Sequence, residues 1–248
     1  MASTTETGNA KNVANFEDLI SFCTGYGASY NPSKASIKLA ALTTKRTDAV
    51  NALAKVNSFL PPWTNAINAR EEVFNPLSKL ITRVVNAVVA SDVPKEIIAD
   101  VKTIARKLQG KRASAKVATV VDNPATPEDE SAKSISASQM SFDSRIENMD
   151  KLIQLLTAQA GYTPNEPELT VAGLTTVFTN MKTTNTDAVN AYTPLSNSRI
   201  DRNKILYDET TGLVTVAGDV KAYVKSVFGG TSPQYKQVSK LKFTTPKK

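Results

Sequence analysis

The chain repeats itself, and this constrains its fold more than any other feature. Tyr30-Asn31-Pro32 returns as Tyr162-Thr163-Pro164, and Leu42-Thr43-Thr44 as Leu174-Thr175-Thr176. Thr47-Asp48-Ala49-Val50-Asn51-Ala52 recurs letter for letter as Thr186-Asp187-Ala188-Val189-Asn190-Ala191. Matches that keep their order over such a span argue for duplication of one structural unit.

The spacing of the matches points to the fold class. The first pair is 132 residues apart (162 − 30) and the third 139 (186 − 47). The difference of seven is two helical turns, so an insertion of that size lengthens a helix without rotating its apolar face. The first seam runs Ala35, Leu39, Leu42, Arg46, Ala49, Leu53, Val56, Leu60, and the second Val171, Leu174, Phe178, Met181, Asn185, Ala188, Tyr192, Leu195. Both alternate steps of three and four. That period belongs to amphipathic helices and not to strands, and the second helix is expected to be longer by about 10 Å.

A further seam follows in each repeat. One runs through Trp63, Ile67, Arg70, Phe74, Leu77, Ile81, Val84 and Val88, its counterpart through Leu206, Thr210, Leu213, Ala217, Val220, Val224 and Val227. A β-hairpin over 205–216, turning at Thr211-Gly212, stays open as the alternative, because Val214-Thr215-Val216 is β-branched. Asn31 and Thr163 are expected to cap helices that begin with Pro32 and Pro164, and Thr163 with Glu166 to form a capping box. Pro61-Pro62 is expected to separate two antiparallel helices, and Asn75-Pro76 to kink or restart the second. Asp92 before Pro94 and Ser232 before Pro233 open shorter closing helices, and opening helices lie near 16–22 and 146–156.

The expected architecture is therefore all-α: two duplicated helical-bundle units of about four helices each, joined by a linker. The parts are a tail 1–15, a first unit 16–109, a linker 110–141, a second unit 142–243 and a basic tail 244–248. The linker is rich in Ala, Ser, Pro and charge and lacks sustained periodicity. At 248 residues with 41% hydrophobic residues, the chain has ample material for a core. No apolar run approaches the roughly 18 residues of a bilayer span, so no integral membrane segment is expected. Met1–Glu6 has neither a basic region nor an apolar stretch, and the expected location is cytoplasmic. The lone Cys23 is expected to be a small buried hydrophobe.

The chemistry available is narrow. The chain has no His and one Cys, which removes the commonest general base, the usual metal ligand and Cys-rich metal sites. Neither a phosphate-binding loop nor a dinucleotide fingerprint is present. No catalytic residue, metal or cofactor is expected.

Two sets of residues remain as candidates. The net charge is +7, and each repeat closes on a basic stretch: Lys102, Arg106, Lys107, Lys111, Arg112 and Lys116 in the first, Lys236, Lys240 and Lys242 in the second. These are candidate contacts to nucleic acid or another anionic surface, weighed against helix ends that need positive charge. Arg46 with Asn185, and Arg70 with Arg199, are polar interruptions of the seams that could set register or assembly, against the reading that their stems pack and their heads reach water.

Val220-Lys221-Ala222-Tyr223-Val224-Lys225-Ser226-Val227-Phe228-Gly229, followed by Ser232-Pro233-Gln234-Tyr235-Lys236, resembles the closing segment of a group of uncharacterised helical proteins from Bacteroidota. The resemblance implies an all-helical fold and brings no activity, cofactor or site residue. The function expected is a non-catalytic structural or interaction protein whose partner is another protein or itself, as a homo-oligomer or filament. The alternative is a nucleic-acid or anionic-surface binder using the basic repeat ends.

Overall fold

The computed structural model describes residues 7–111 and 140–246, and within them the protein is all-α. The helices are α1 (Asn9–Gly25), α2 (Leu39–Phe74), α3 (Leu77–Val89), α4 (Lys95–Gln109), α5 (Phe142–Thr157), α6 (Val171–Tyr207), α7 (Leu213–Phe228) and α8 (Pro233–Ser239). The linker between Lys111 and Met140 lies outside the described residues, as do Arg112 and Lys116. Among the described residues no helix is long and apolar enough to cross a membrane.

The seams fold as their period requires. Leu42, Ala49 and Val56 are buried along α2, and Leu174, Met181, Ala188 and Leu195 along α6, each a heptad from the next. Phe74, Leu77, Ile81, Val84 and Val88 are buried in one repeat, Leu206, Leu213, Ala217, Val220 and Val224 in the other. Ala35, Tyr192, Thr210 and Val227 are the exceptions, all exposed.

Several boundaries differ from expectation, each for a local reason. The hairpin over 205–216 does not form: α6 runs to Tyr207, a turn follows, and α7 starts at Leu213. Asp208 builds that turn by accepting from the backbone N–H of Thr210 and Thr211 and from the Thr211 hydroxyl. Gly212 sits so close to Asp208 that a Cβ would come within 2.5 Å of its backbone. Pro61-Pro62 does not divide α2, and Pro194 likewise lies inside α6. Each proline deprives the carbonyl four residues back of its donor, yet both helices continue. Asn75-Pro76 is the true break, restarting the chain as α3.

The expected caps at Asn31 and Thr163 are also replaced. Neither Pro32 nor Pro164 is helical, and no capping box joins Thr163 to Glu166. Instead Tyr30 donates its hydroxyl to the Ile37 carbonyl at 2.6 Å, and Tyr162 does the same to Leu169 at 2.6 Å. Each closes a loop that delays the long helix, and α6 is then capped by Thr170, which accepts from Gly173 N–H at 3.0 Å. Nor does an insertion lengthen the second long helix. α2 has 36 residues and α6 has 37. The hexapeptide match is one heptad out of step with its surroundings, and at the common spacing of 132 Ala49 corresponds to Met181, both buried (181 − 49).

The compact units do not coincide with 16–109 and 142–243. One consists of residues 1–64 and 190–248, the other of 65–189. In the first, α1 packs on α7 and α8, together with the start of α2 and the end of α6. In the second, α5 packs on α4 and α4 on α3, with the end of α2 and the start of α6. Each unit thus takes the opening half of one sequence repeat and the closing half of the other.

Both cores have the same frame. Phe16, Leu19 and Cys23 are buried on α1 where Met149, Leu152 and Leu156 are buried on α5, at a spacing of 133 (149 − 16). Phe74 and Leu206 correspond at 132 (206 − 74), and Leu77 and Leu213 at 136 (213 − 77), because the turn before α7 is longer. Of the expected tail 1–15, residues 9–15 belong to α1 and 1–6 lie outside the described residues, and 244–246 is part of a packed segment.

Candidate functional site

The basic stretches are treated differently in the two units. In the second unit α4 stays helical through Gln109 because Val101, Ala105 and Leu108 form a buried line, and Gly110 ends it with φ 67°. Lys102, Arg106 and Lys111 line a shallow groove of about 490 Å³ beside Gln109 and Thr103. No acidic side chain lines it, and none of the three cations has a carboxylate partner among the described residues. Gln109 spans to α3, donating to the Ser78 carbonyl at 3.0 Å and Thr82 Oγ1 at 2.8 Å. Lys107 does not line the groove, and Glu147, paired with Lys151, has its carboxyl held below its ordinary value by Lys151 first and by the charge of Lys107 last.

In the first unit a second groove of about 420 Å³ lies between α2 and α6. Its charges balance: Asp48 and Asp201 face Lys55 and Lys204, and Lys55 pairs with Asp201 at 3.1 Å. The basic residues here are elsewhere. Lys236 is on α8, Lys240 precedes a non-helical strap over 241–246, and Lys242 lies within that strap. All three are exposed.

The strap is held through its main chain. Asn12 on α1 donates to the Thr244 carbonyl at 2.7 Å and accepts from the Thr244 N–H at 3.0 Å. Asn15, one turn on, donates to the Lys242 carbonyl at 2.6 Å. Lys221 on α7 donates to the Leu241 carbonyl, and its ammonium lies 5.0 Å from the centre of the Phe243 ring. Burial pulls the Lys221 pKa down. Asn12 is 1% exposed and Asn15 5%.

At the position of Asn12, 133 residues on, α5 carries Arg145 (145 − 12). Its Nη2 donates to the carbonyl of Phe74, the last residue of α2, at 3.0 Å. A cation there meets one of the carbonyls a helix end leaves unpaired. Burial lowers the Arg145 pKa. Phe74 and Phe142 meet edge to face with centroids 4.8 Å apart, and the Arg70 guanidinium lies over the Phe142 ring at 3.9 Å. Arg70 also donates to Asn185 Oδ1 at 3.2 Å, and Asn185 donates to Asp143 at 2.8 Å.

The register candidates, expected at equivalent positions of the two repeats, each have partners of their own. Arg70 meets Asn185, and Arg46 reaches Glu17 on α1 at 2.8 Å with its head partly exposed. Arg199 has no ion pair or hydrogen bond among the described residues. Asn12, Asn15, Arg145 and Lys221 were not singled out by sequence reasoning. The signal was present: Asn15, Leu19, Ile20 and Thr24 recur as Asn148, Leu152, Ile153 and Thr157.

The displaced acid groups move away from neutrality. Burial pushes Cys23 up to about 12, against a lowering by the Tyr30 hydroxyl, and pushes Tyr162 up to about 12. Glu147, Glu168 and Asp208 go down. Among the described residues no three His, Cys, Asp or Glu side chains converge as a metal site would require. Compared with family models, curated proteins and solved structures, the chain matches none.

Proposed function

We propose that the chain is a non-catalytic scaffold that associates with a protein partner or with copies of itself. The observation that carries this reading is the use made of its polar side chains. Arg46 ties α2 to α1, Lys55 ties α2 to α6, Arg70 and Asn185 tie α2 to α6 and α5, and Asn12 and Asn15 tie α1 to the strap. Polar groups spent in this way fix a helical frame and leave little to act on a substrate. Displaced carboxyls that move down rather than up support the same reading, since a general acid or base works near neutral pH. Light scattering over a wide range of protein concentration tests it. An assembly that grows with concentration and resists salt is expected, or a monomer that captures a defined protein. A monomer with reproducible turnover, abolished by one carboxylate substitution, contradicts it.

A second reading has one observation in its favour: the α4 groove, where Lys102, Arg106 and Lys111 lack an acidic counterpart. A polyanion seated there would release counterions, so its affinity falls steeply with salt. Exchanging Lys102 and Arg106 for Glu should abolish binding to a single-stranded oligonucleotide at low salt. Binding unchanged by the exchange excludes this groove.

A further inference from the structure

We infer that the face of α1 bearing Asn12 and Asn15 is a site for an extended peptide backbone, filled within one molecule by its own strap and open to the strap of a second copy. Three features of the first unit carry this.

The contacts are made to the main chain. Asn12 both donates to and accepts from Thr244, which is how a side-chain amide matches a peptide unit, and Asn15 reaches the carbonyl two residues earlier. Two residues is the repeat of an extended chain, and four to three residues is the spacing of neighbours on a helix face. Asn12 and Asn15, three apart on α1, are thereby matched to residues 244 and 242, two apart on the strap. Such pairing reads backbone conformation and leaves side-chain preference to Phe243, which lies under the Lys221 ammonium.

The two sides of the contact are buried unequally. Asn12 and Asn15 are almost wholly buried, whereas no strap residue from Leu241 to Pro246 is. Leu241 and Phe243 pack against the core only partly buried, and a segment without a fully buried side chain opens more readily than the core around it. When the strap leaves, Asn12 keeps only the Tyr207 hydroxyl at 3.3 Å and Asn15 loses the Lys242 carbonyl, and buried amides short of partners are costly. The site therefore favours re-occupation.

The second unit is built differently at this place. There α4 continues as helix for 15 residues against α5, where α8 stops after seven and hands over to the strap. The extended occupant is thus a property of the first unit, and an identical strap from another molecule is the ligand already shaped for it. Exchange of an identical element is a low-cost route to association. The inference rests on the self-association reading only for the source of the second strap.

The probe is a labelled peptide Lys-Leu-Lys-Phe-Thr-Thr-Pro, the sequence of residues 240–246. It is titrated by fluorescence anisotropy against the full-length chain and against full-length Thr244→Pro, which lacks the N–H that Asn12 accepts. Thr244→Pro should bind the peptide at least about tenfold more tightly than the unaltered chain. Adding Asn12→Leu, or methylating the peptide nitrogen at the threonine equivalent to Thr244, should each cost about tenfold. Equal binding by both chains, or indifference to the methylated nitrogen, overturns the inference. Should Thr244→Pro not fold, amide hydrogen exchange on the unaltered chain decides. The Thr244 amide must exchange at least about tenfold faster than those of Leu19 and Val220, and exchange at the core rate overturns the inference. Peptide binding by a chain that stays monomeric would leave this site standing and remove self-association. Assembly without peptide binding would do the reverse.

Discussion

The two compact units share a core frame and differ in how they close. In the second, α4 supplies a full-length closing helix, with Val101, Ala105 and Leu108 buried and Gly110 as its stop. In the first, α8 buries only Val238, and beyond Ser239 the alternation Leu241, Phe243 suits an extended chain. The opening helix adapts to its neighbour. Arg145 on α5 meets the carbonyl end of α2 and the Phe74 ring, while Asn12 on α1 meets the backbone of a strap. A repeated apolar frame thus tolerates different polar chemistry at corresponding positions, because the frame sets packing and the closing segment sets which groups need partners.

The comparison can be broken at its core first. Leu19→Ala and Leu152→Ala remove fully buried, corresponding side chains from α1 and α5, and each should cost about 2–5 kcal/mol in denaturant unfolding. Similar losses are expected in both units. A loss confined to one would mean that the frames are not equivalent. Next come Tyr30→Phe and Tyr162→Phe, which orphan the buried carbonyls of Ile37 and Leu169. Each should cost about 1–3 kcal/mol, again as a pair.

The differences between the units give smaller effects. Arg70→Met in the second unit gives up the Asn185 contact and the Phe142 face and should cost about 1 kcal/mol. Arg46→Leu in the first, where the Glu17 pair is partly exposed, should cost less than about 1 kcal/mol and leave the oligomeric state alone. Light scattering beside thermal melts checks both, and a change of assembly on Arg46→Leu would restore a register role.

The smallest effect is in pH. Asp208 is held below its ordinary 3.8, first by the Thr211 N–H, then by the Thr211 hydroxyl and the Thr210 N–H. A lowered carboxylate stabilises the fold fully above its unfolded value and loses that contribution as pH falls through the folded value. The gap in melting temperature between the unaltered chain and Asp208→Asn should therefore be constant near neutrality and shrink below about pH 4. A gap that widens in acid contradicts this assignment.

Much of the fold was legible in the sequence. The three-and-four spacing of Leu42, Ala49, Val56 and of Leu174, Met181, Ala188, Leu195 marks buried helix faces directly, since burial is what that period encodes. Local backbone rules misled at Pro61-Pro62, where α2 continues through both prolines, and at Pro32 and Pro164, where a tyrosine hydroxyl holds a loop instead. The hexapeptide repeat misled on length, because identical letters one heptad apart occupy the same helix face without being structural equivalents. The exchange of halves between repeats was not legible at all. Periodicity tells which face is buried, not which helix covers it. The basic groove was half legible: Lys102, Arg106 and Lys111 converge, but Lys107 does not line it and Lys236, Lys240 and Lys242 lie in a different setting. The asparagines of α1 were missed because an Asn among apolar positions reveals its partner only once the strap is in place.

The exchange of halves is the central claim, and methyl–methyl nuclear Overhauser contacts in the full-length chain test it most directly. Leu19 should show contacts to the α7 residues Val216, Val220 and Val224, and Leu152 to Val84, Val88 and Val101 of α3 and α4. Contacts from Leu19 to Val84 and Val88, with Leu152 meeting Val220 and Val224, would mean that each repeat closes on itself, and would contradict the account.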